Sequence, residues 1–314
     1  MRDCMFAVDS IQVGEFLQAN FDERVTTVSL IGAGMFSQAF SFTVEQHALI
    51  FRLNASEEDF QKDAFAFQHF SAPTVPIPRV LRIGRFDDTR HFAITTRCPG
   101  QTLQAMDERA VRTLVPQLFQ TMNAIHHTDV SGYTGWGLTD TTGHGRFASW
   151  TQYLLSFYDQ KFAFAWPELI HQTFLEQEVY QTFFNAMKPL LAYCPTEKYL
   201  VHGDFGFDNV LSDGQHITGV LDWADARLGD FVYDLAYLDF WSKDIPDGAL
   251  WQEEATASGN RVPHFEERMR CYMLHIGLQG LAIAALTANK PSYVRIRERT
   301  RAVLQPGRRS HGEG

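Results

Sequence analysis

Val201-His-Gly-Asp-Phe-Gly-Phe-Asp-Asn-Val-Leu211, followed at residue 219 by Gly-Val-Leu-Asp-Trp223, carries most of the chemistry that can be read from this chain. Asp204 precedes Asn209 by five positions, and Asp222 lies thirteen beyond Asn209. Two short apolar runs flank Ser212-Asp-Gly-Gln215 and interrupt an otherwise helical region. The residue types suit a division of labour. One carboxylate can accept or orient a hydroxyl proton, while an amide oxygen and a second carboxylate can hold Mg²⁺, a hard ion that prefers oxygen ligands. Taken singly, each Asp is more often a turn or cap residue.

Far upstream, the β-branched run Val25 to Ile31 enters Gly32-Ala-Gly34-Met-Phe-Ser37. Residues Ala39 to Val44 then alternate with period two, and a polar turn at Glu45-Gln46-His47 leads into Ala48 to Leu53. The pattern predicts three antiparallel strands joined by a Gly-rich hairpin and a tight turn. A dinucleotide fingerprint requires a helix directly after the glycines, and here a strand follows. Two readings of the loop stand: a plain hairpin turn, or a flap whose backbone N–H groups lie over phosphates. No GxxxxGK[ST] or GxSxG motif occurs, which removes P-loop and serine-hydrolase readings.

Residues Glu57 to Phe70 have helical spacing, with Phe60, Ala64, Phe67 and Phe70 expected on one stripe, and Pro73, Pro76 and Pro78 end the helix. Val80 to Ile83 and His91 to Thr95 read as two further strands around an Asp-Asp turn. Pro99-Gly100 marks the expected boundary. The chain is therefore expected to be a two-lobed α+β protein. Residues 1–97 would form a β-rich lobe with an antiparallel sheet and a helix. Residues 98–314 would form a helical lobe with the catalytic loop.

Composition narrows the remaining classes. The 314 residues are 45% hydrophobic, enough for a sizeable core and against disorder. Lys+Arg total 27 against 37 Asp+Glu, a net charge of −10, which disfavours a nucleic-acid partner. Cys4, Cys98, Cys194 and Cys271 are far apart and form no CxxC, so reduced thiols are expected. His126-His127 has no third ligand at a suitable spacing, which favours helix packing or capping over metal binding. The N-terminus lacks the pattern of a signal peptide, and no sustained apolar run is long enough to span a membrane. A soluble, cytoplasmic protein with no membrane and no obligate protein partner is the expectation.

His202-Gly-Asp-x4-Asn209, Leu221-Asp-Trp223 and Gly229-Asp230-x3-Asp234-Leu-Ala236 resemble the signature motifs of the aminoglycoside phosphotransferase family, which shares the protein-kinase fold. Arg52-Leu-Asn54, Pro76-Ile-Pro78 and Tyr272-Met-Leu-x-Ile-Gly-Leu278 extend the resemblance from about residue 25 to about residue 300. It implies a bilobal fold with ATP between the lobes. Asp204 would be the catalytic carboxylate, with Asn209 and Asp222 as the Mg²⁺ ligands. Gly32, Gly34 and Ser37 would cover the phosphates, and backbone at Thr95, Arg97 and Cys98 would meet the adenine. Trp223 would pack against the catalytic loop, and Asp230 and Asp234 would be structural. The kinase Lys–Glu pair is replaced here: Arg52 stands on the third strand, with Asp63 as its expected partner.

The acceptor implied is a cationic aminoglycoside, with hygromycin B as the first candidate. Acidic and aromatic residues that could meet such a sugar are Asp208, Asp225, Asp239 and Trp241, while Asp244, Asp247, Glu253 and Glu254 read as a solvated acidic stretch. Two other readings remain open. One is a small-molecule kinase acting on choline, homoserine, a macrolide or a ketosamine. The other is a pseudokinase that only binds nucleotide, against which the retention of Asp204, Asn209 and Asp222 together speaks.

Overall fold

The structure is a computed structural model that describes residues 8–22, 24–34, 37–159, 165–242, 247–257 and 261–305. In chain order its first elements are α1 (Ser10–Asn20), β1 (Val25–Ala33), β2 (Ser37–Val44), β3 (His47–Asn54), α2 (Glu57–Phe70), β4 (Val80–Arg85) and β5 (His91–Thr96). Then come β6 (Gln101–Thr102), α3 (Glu108–His126), β7 (Trp136–Thr139), β8 (Gly145–Phe147), α4 (Trp150–Ser156), α5 (Trp166–Gln172) and α6 (Gln177–Met187). The last are β9 (Tyr199–Val201), β10 (Val210–Ser212), β11 (Ile217–Val220), β12 (Arg227–Gly229), α7 (Val232–Trp241), α8 (Asp247–Ala257), α9 (Phe265–Leu286) and α10 (Lys290–Val303).

These elements form two compact units. The first takes the described residues of 1–124, 140–143 and 208–225, and the second those of 125–139, 144–207 and 226–314. In the first, five antiparallel strands lie in the order β1-β2-β3-β5-β4. Alternating side chains of β2 and β3 drive Phe40, Phe42, Phe51 and Leu53 into one core, where they meet Val13 and Leu17 of α1. Phe51 stacks on Phe92 of β5 at 5.3 Å between ring centres. The sequence pattern does not announce α1. Its start is set by a capping box: Asp9 Oδ1 accepts from the N–H groups of Ile11 (2.9 Å) and Gln12 (2.8 Å), and the Gln12 side chain accepts from the Asp9 N–H.

Helix α2 has the expected bounds, but its buried face is rotated from the expected stripe. Phe60, Asp63, Ala66 and Phe70 are buried together with Lys62, while Ala64 and Phe67 are only half-buried. An all-apolar template misplaces the stripe because two charged residues lie on the inner face. A second, three-stranded sheet of the first unit has the order β11-β10-β6. There Gly100, at φ +90°, lies so close to β10 that a Cβ would stand 1.9 Å from the Ser212 carbonyl oxygen. Only glycine can hold that turn.

The second unit carries more strand than a helical reading expects: four antiparallel strands in the order β8-β7-β12-β9. Around them pack the helices, with the 22-residue α9 in the middle and Leu274, Leu278 and Leu281 fully buried. By length and composition alone α9 could cross a bilayer, yet most of it is buried inside the unit, as befits a core helix.

Candidate active site

Strand β9 delivers His202, Gly203 and Asp204 to the end of the second unit's sheet. Their backbone is held by one carboxylate. Asp234, wholly buried near the start of α7, accepts the His202 N–H at 3.0 Å and the Gly203 N–H at 2.7 Å. His126 Nε2, at the end of α3, bonds the same carboxylate at 2.9 Å. Burial alone would raise the Asp234 pKa, but the bonds from His126 and Gly203 prevail and it is lowered. The Asp204 N–H then donates to His202 Nδ1 at 3.3 Å, and its carbonyl accepts from the Gly206 N–H at 2.9 Å. Asp204 is half-buried, with its backbone held by these bonds.

A second buried carboxylate supports the same helix. Asp230 accepts from Arg268 Nε at 2.8 Å and from a second Arg268 nitrogen, from the Tyr272 hydroxyl, and from the Val232 N–H at 3.1 Å. Trp150 Nε1 donates to Tyr272 at 3.0 Å. Asp230 and Asp234 thus brace the loop and open α7, as a structural reading expects.

In the first unit, hairpin β10–β11 pairs Val210 with Val220, and the Leu221 N–H donates to the Asn209 carbonyl at 2.8 Å. Asn209 and Asp222 therefore leave the same end of the hairpin. Asp222 sits at φ +62°, a left-handed conformation uncommon outside glycine, and its carboxylate remains 41% exposed. Arg52 bonds Asp63 directly and lies 3.7 Å from Asp222. Asp63 also accepts the Trp223 N–H at 2.8 Å, tying α2 to the residue after Asp222. Trp223 is buried, with its ring centre 6.0 Å from that of Phe70 on α2. Burial disfavours the Arg52 charge, but Asp63 and Asp222 outweigh it and its pKa is raised. The Asp63 carboxyl is raised by burial, with Asp222 adding to the effect and Arg52 opposing it.

Two carboxylates thus share one guanidinium, which leaves a net negative, oxygen-rich corner. The donor set fits Mg²⁺, which commonly takes one or two protein oxygens and completes its octahedron with waters and substrate phosphates. Among the described residues no group of three His, Cys, Asp or Glu could cage a metal, so a dedicated all-protein site is not what the chain offers.

Other residues singled out in the sequence fall in varied places. Gly32 lies within β1, paired with Ala39 of β2, and Gly34 follows the strand, its N–H bonded to the Ser37 carbonyl at 2.8 Å; Met35 and Phe36 lie outside the described residues. Thr95 is buried within β5, Arg97 is exposed, and Cys98 is half-buried against Gly219. Asp208 and Asp225 are exposed. Asp239 accepts from the Gly248 N–H, and burial raises its pKa. Trp241 packs on Gly280 of α9, with its indole nitrogen buried. Both are half-buried. Asp244 and the side chains of Asp247, Glu253 and Glu254 lie outside the described residues. Lys62, which motif reasoning passed over, is buried and donates to the Ala224 carbonyl at 3.1 Å. Its one sequence signal is a lysine beside Asp63 on the inner face of a helix.

A family model described as "Phosphotransferase enzyme family" matches residues 27–268. Hygromycin-B 4-O-kinase of Escherichia coli is 31% identical over 301 residues, covering 94% of this chain and 85% of that protein. The crystal structure of aminoglycoside phosphotransferase APH(4)-Ia superposes with a TM-score of 0.85 at 28% identity, covering 95% of this chain and 99% of that one. A thermostable mutant of the same enzyme, in ternary complex with AMP-PNP and hygromycin B, gives 0.84 over 93% of this chain and 98% of that one, also at 28% identity. The GDP complex of aminoglycoside 2'-phosphotransferase-IIIa, at 17% identity and a TM-score of 0.67, shares the fold. With the family model and these whole-length likenesses in agreement, the chain belongs to the aminoglycoside phosphotransferases of the phosphotransferase enzyme family.

Proposed function

We propose that this chain transfers the γ-phosphoryl group of ATP to a hydroxyl of an aminoglycoside, with hygromycin B as acceptor, and thereby confers resistance in the cytoplasm. The observation that carries the reading is the likeness to the Escherichia coli kinase, which runs over nearly the whole chain. Asp204, held by its backbone bonds, accepts or orients the proton of the attacking hydroxyl. Arg52, anchored by Asp63, presents a planar cation to phosphate oxygens. Asn209 and Asp222 would hold Mg²⁺, whose chemistry there is to neutralise charge on the triphosphate. Gly32, Gly34 and Ser37 would cover the phosphates with backbone N–H groups, and the segment from Thr95 through Arg97 to Cys98 would meet the adenine. Catalysis on this reading rests on positioning and charge stabilisation. Asp208 and Asp225, both exposed, and Asp239 and Trp241, both half-buried, are the proposed contacts for a cationic sugar.

The test is an acceptor screen with ATP, reading ADP release and product mass. Hygromycin B should gain one phosphoryl group, and expression in a sensitive bacterium should raise tolerance to it. Phosphorylation of another aminoglycoside alone would replace the drug and keep the reaction. Turnover only with choline, homoserine, a macrolide or a ketosamine would replace the substrate class, and ATP binding without any turnover would leave a nucleotide-binding pseudokinase.

A further inference from the structure

Lys62 and Asp63 are consecutive on α2, and both are buried. They reach consecutive residues of a remote part of the chain. Asp63 Oδ1 accepts the Trp223 N–H at 2.8 Å, and Lys62 Nζ donates to the Ala224 carbonyl at 3.1 Å. Trp223 and Ala224 follow Asp222 directly, in the short helical turn Trp223–Asp225. On the other side of Asp222, the Leu221 N–H bonds the Asn209 carbonyl at 2.8 Å, and the Val220 N–H bonds the Pro76 carbonyl at 2.7 Å. All of these residues belong to the first unit.

Asp222 is thus gripped from both sides. Its φ of +62° is costly for a residue with a Cβ, so its neighbours must impose it. The hairpin bonds reach only as far as Leu221. Beyond Asp222 the chain is steered by α2. Asp63 fixes the planar peptide that joins Asp222 to Trp223, and Lys62 fixes the one that joins Ala224 to Asp225. Asp63 divides its carboxylate between Trp223 and Arg52. Lys62 has an acidic neighbour in Glu58, one turn earlier at 3.8 Å, but that carboxylate is 46% exposed, and such pairs contribute little. Burying an ammonium against a carbonyl is costly, and an apolar side chain of the same length would fill the space without that cost. The cost is intelligible when the carbonyl it holds has to stay in place.

We infer that Lys62 is a positioning residue for the Mg²⁺-binding carboxylate: through the Ala224 carbonyl it holds Asp222 where the ion meets it. The inference rests on the proposed role of Asp222, and it gives Lys62 no contact with the ion or with ATP. Adjacent residues of α2 then serve the two charges that face the triphosphate. Asp63 anchors Arg52, and Lys62 aims Asp222, which lies 3.7 Å from Arg52.

The experiment measures the affinity of the full chain for ADP by calorimetry, with and without Mg²⁺. The ratio of the two affinities isolates the share that depends on the ion. Lys62→Met keeps the length and loses the donor; it should lower this ratio by about tenfold, the scale of one charge-assisted hydrogen bond. Affinity for ADP without the ion should stay nearly unchanged. Lys62→Arg, which keeps a cationic donor, should recover most of the ratio. Glu58→Gln should leave it intact, which traces the loss to Ala224 rather than to the ion pair. Should Lys62→Met fail to fold, the ratio should fall in the order wild type, Lys62→Arg, Lys62→Gln. Equal losses with and without the ion, an unaltered ratio in the Met or Gln variant, or an Arg variant no better than these would overturn the inference. Wild-type ADP affinity indifferent to Mg²⁺ would instead overturn the role of Asp222 itself. Failure of that reading therefore shows in the wild type, and failure of the inference only in the variants.

Discussion

The two carboxylate centres of this protein are built on opposite plans. Around Asp234 and Asp230 every contact is internal: the groups are wholly buried and are bonded by His126, His202, Gly203, Arg268 and Tyr272. Around Arg52, Asp63 and Asp222 two anions share one cation, and Asp222 is left 41% exposed on a left-handed backbone. The first plan fixes a loop. The second leaves charge unbalanced where a cation and phosphates would balance it. The carboxylates that hold backbone are saturated by the protein, whereas the Asp222 carboxylate keeps an open side.

The sharpest test of the contrast pairs Asp204 with Asp234. Asp204→Ala should lower kcat by about 10³-fold, within the range for a positioned proton acceptor, and leave the urea midpoint nearly unchanged. Asp234→Ala should instead destabilise the protein by about 3–5 kcal/mol, as loss of one partner from a buried polar network does. Its pKa is lowered in the folded state. Its contribution is therefore full above the ordinary carboxylate value of about 3.9 and is lost as pH falls through the folded value. Acid unfolding of Asp234→Asn should accordingly depend less on pH below about 4 than that of the wild type. Equal stability losses at Asp204 and Asp234 would erase the distinction.

A smaller effect is expected from the shared guanidinium. A double-mutant cycle on Arg52 and Asp63, read by nucleotide affinity, should show coupling of about 0.5–3 kcal/mol. Additive changes would mean that the observed ion pair does not act on the ligand. The smallest effect has the opposite sign. Asp222→Gly removes a carboxylate from beside Asp63 and relieves the φ of +62°. Chemical denaturation should find it about 0.5–1 kcal/mol more stable, while turnover is lost. A destabilised glycine variant would show that the conformation at Asp222 carries no strain.

The β10–β11 hairpin was legible because it lies in one short stretch, two apolar runs around a Ser212-Asp-Gly-Gln215 turn that local pattern reveals. The five-stranded sheet and α2 were legible for the same reason, since period-two and helical spacing are local properties. What stayed hidden is what depends on distant chain. His126 and His127 read as helix packing, and nothing near them names Asp234, 108 positions away, as the partner. Lys62 and Asp63 turned the buried face of α2 because their partners, Ala224 and Trp223, come from a remote hairpin. Asp239 and Trp241, which follow the catalytic segment in sequence, are half-buried on α7, with Gly248 and Gly280 as neighbours that local pattern does not name.

The bond between His126 and Asp234 also bears on the order of events when the chain folds. Local hairpins such as β2–β3 can pair as soon as their residues exist, but the loop at His202 and Gly203 has no fixed shape until α3 and α7 have met around one carboxylate. Closing so long a stretch is slow relative to local pairing. During synthesis, His202 through Asp204 emerge about thirty residues before the Asp234 that sets them. The segment from His202 to Asp204 thus waits for chain made some thirty residues after it before its backbone bonds can close.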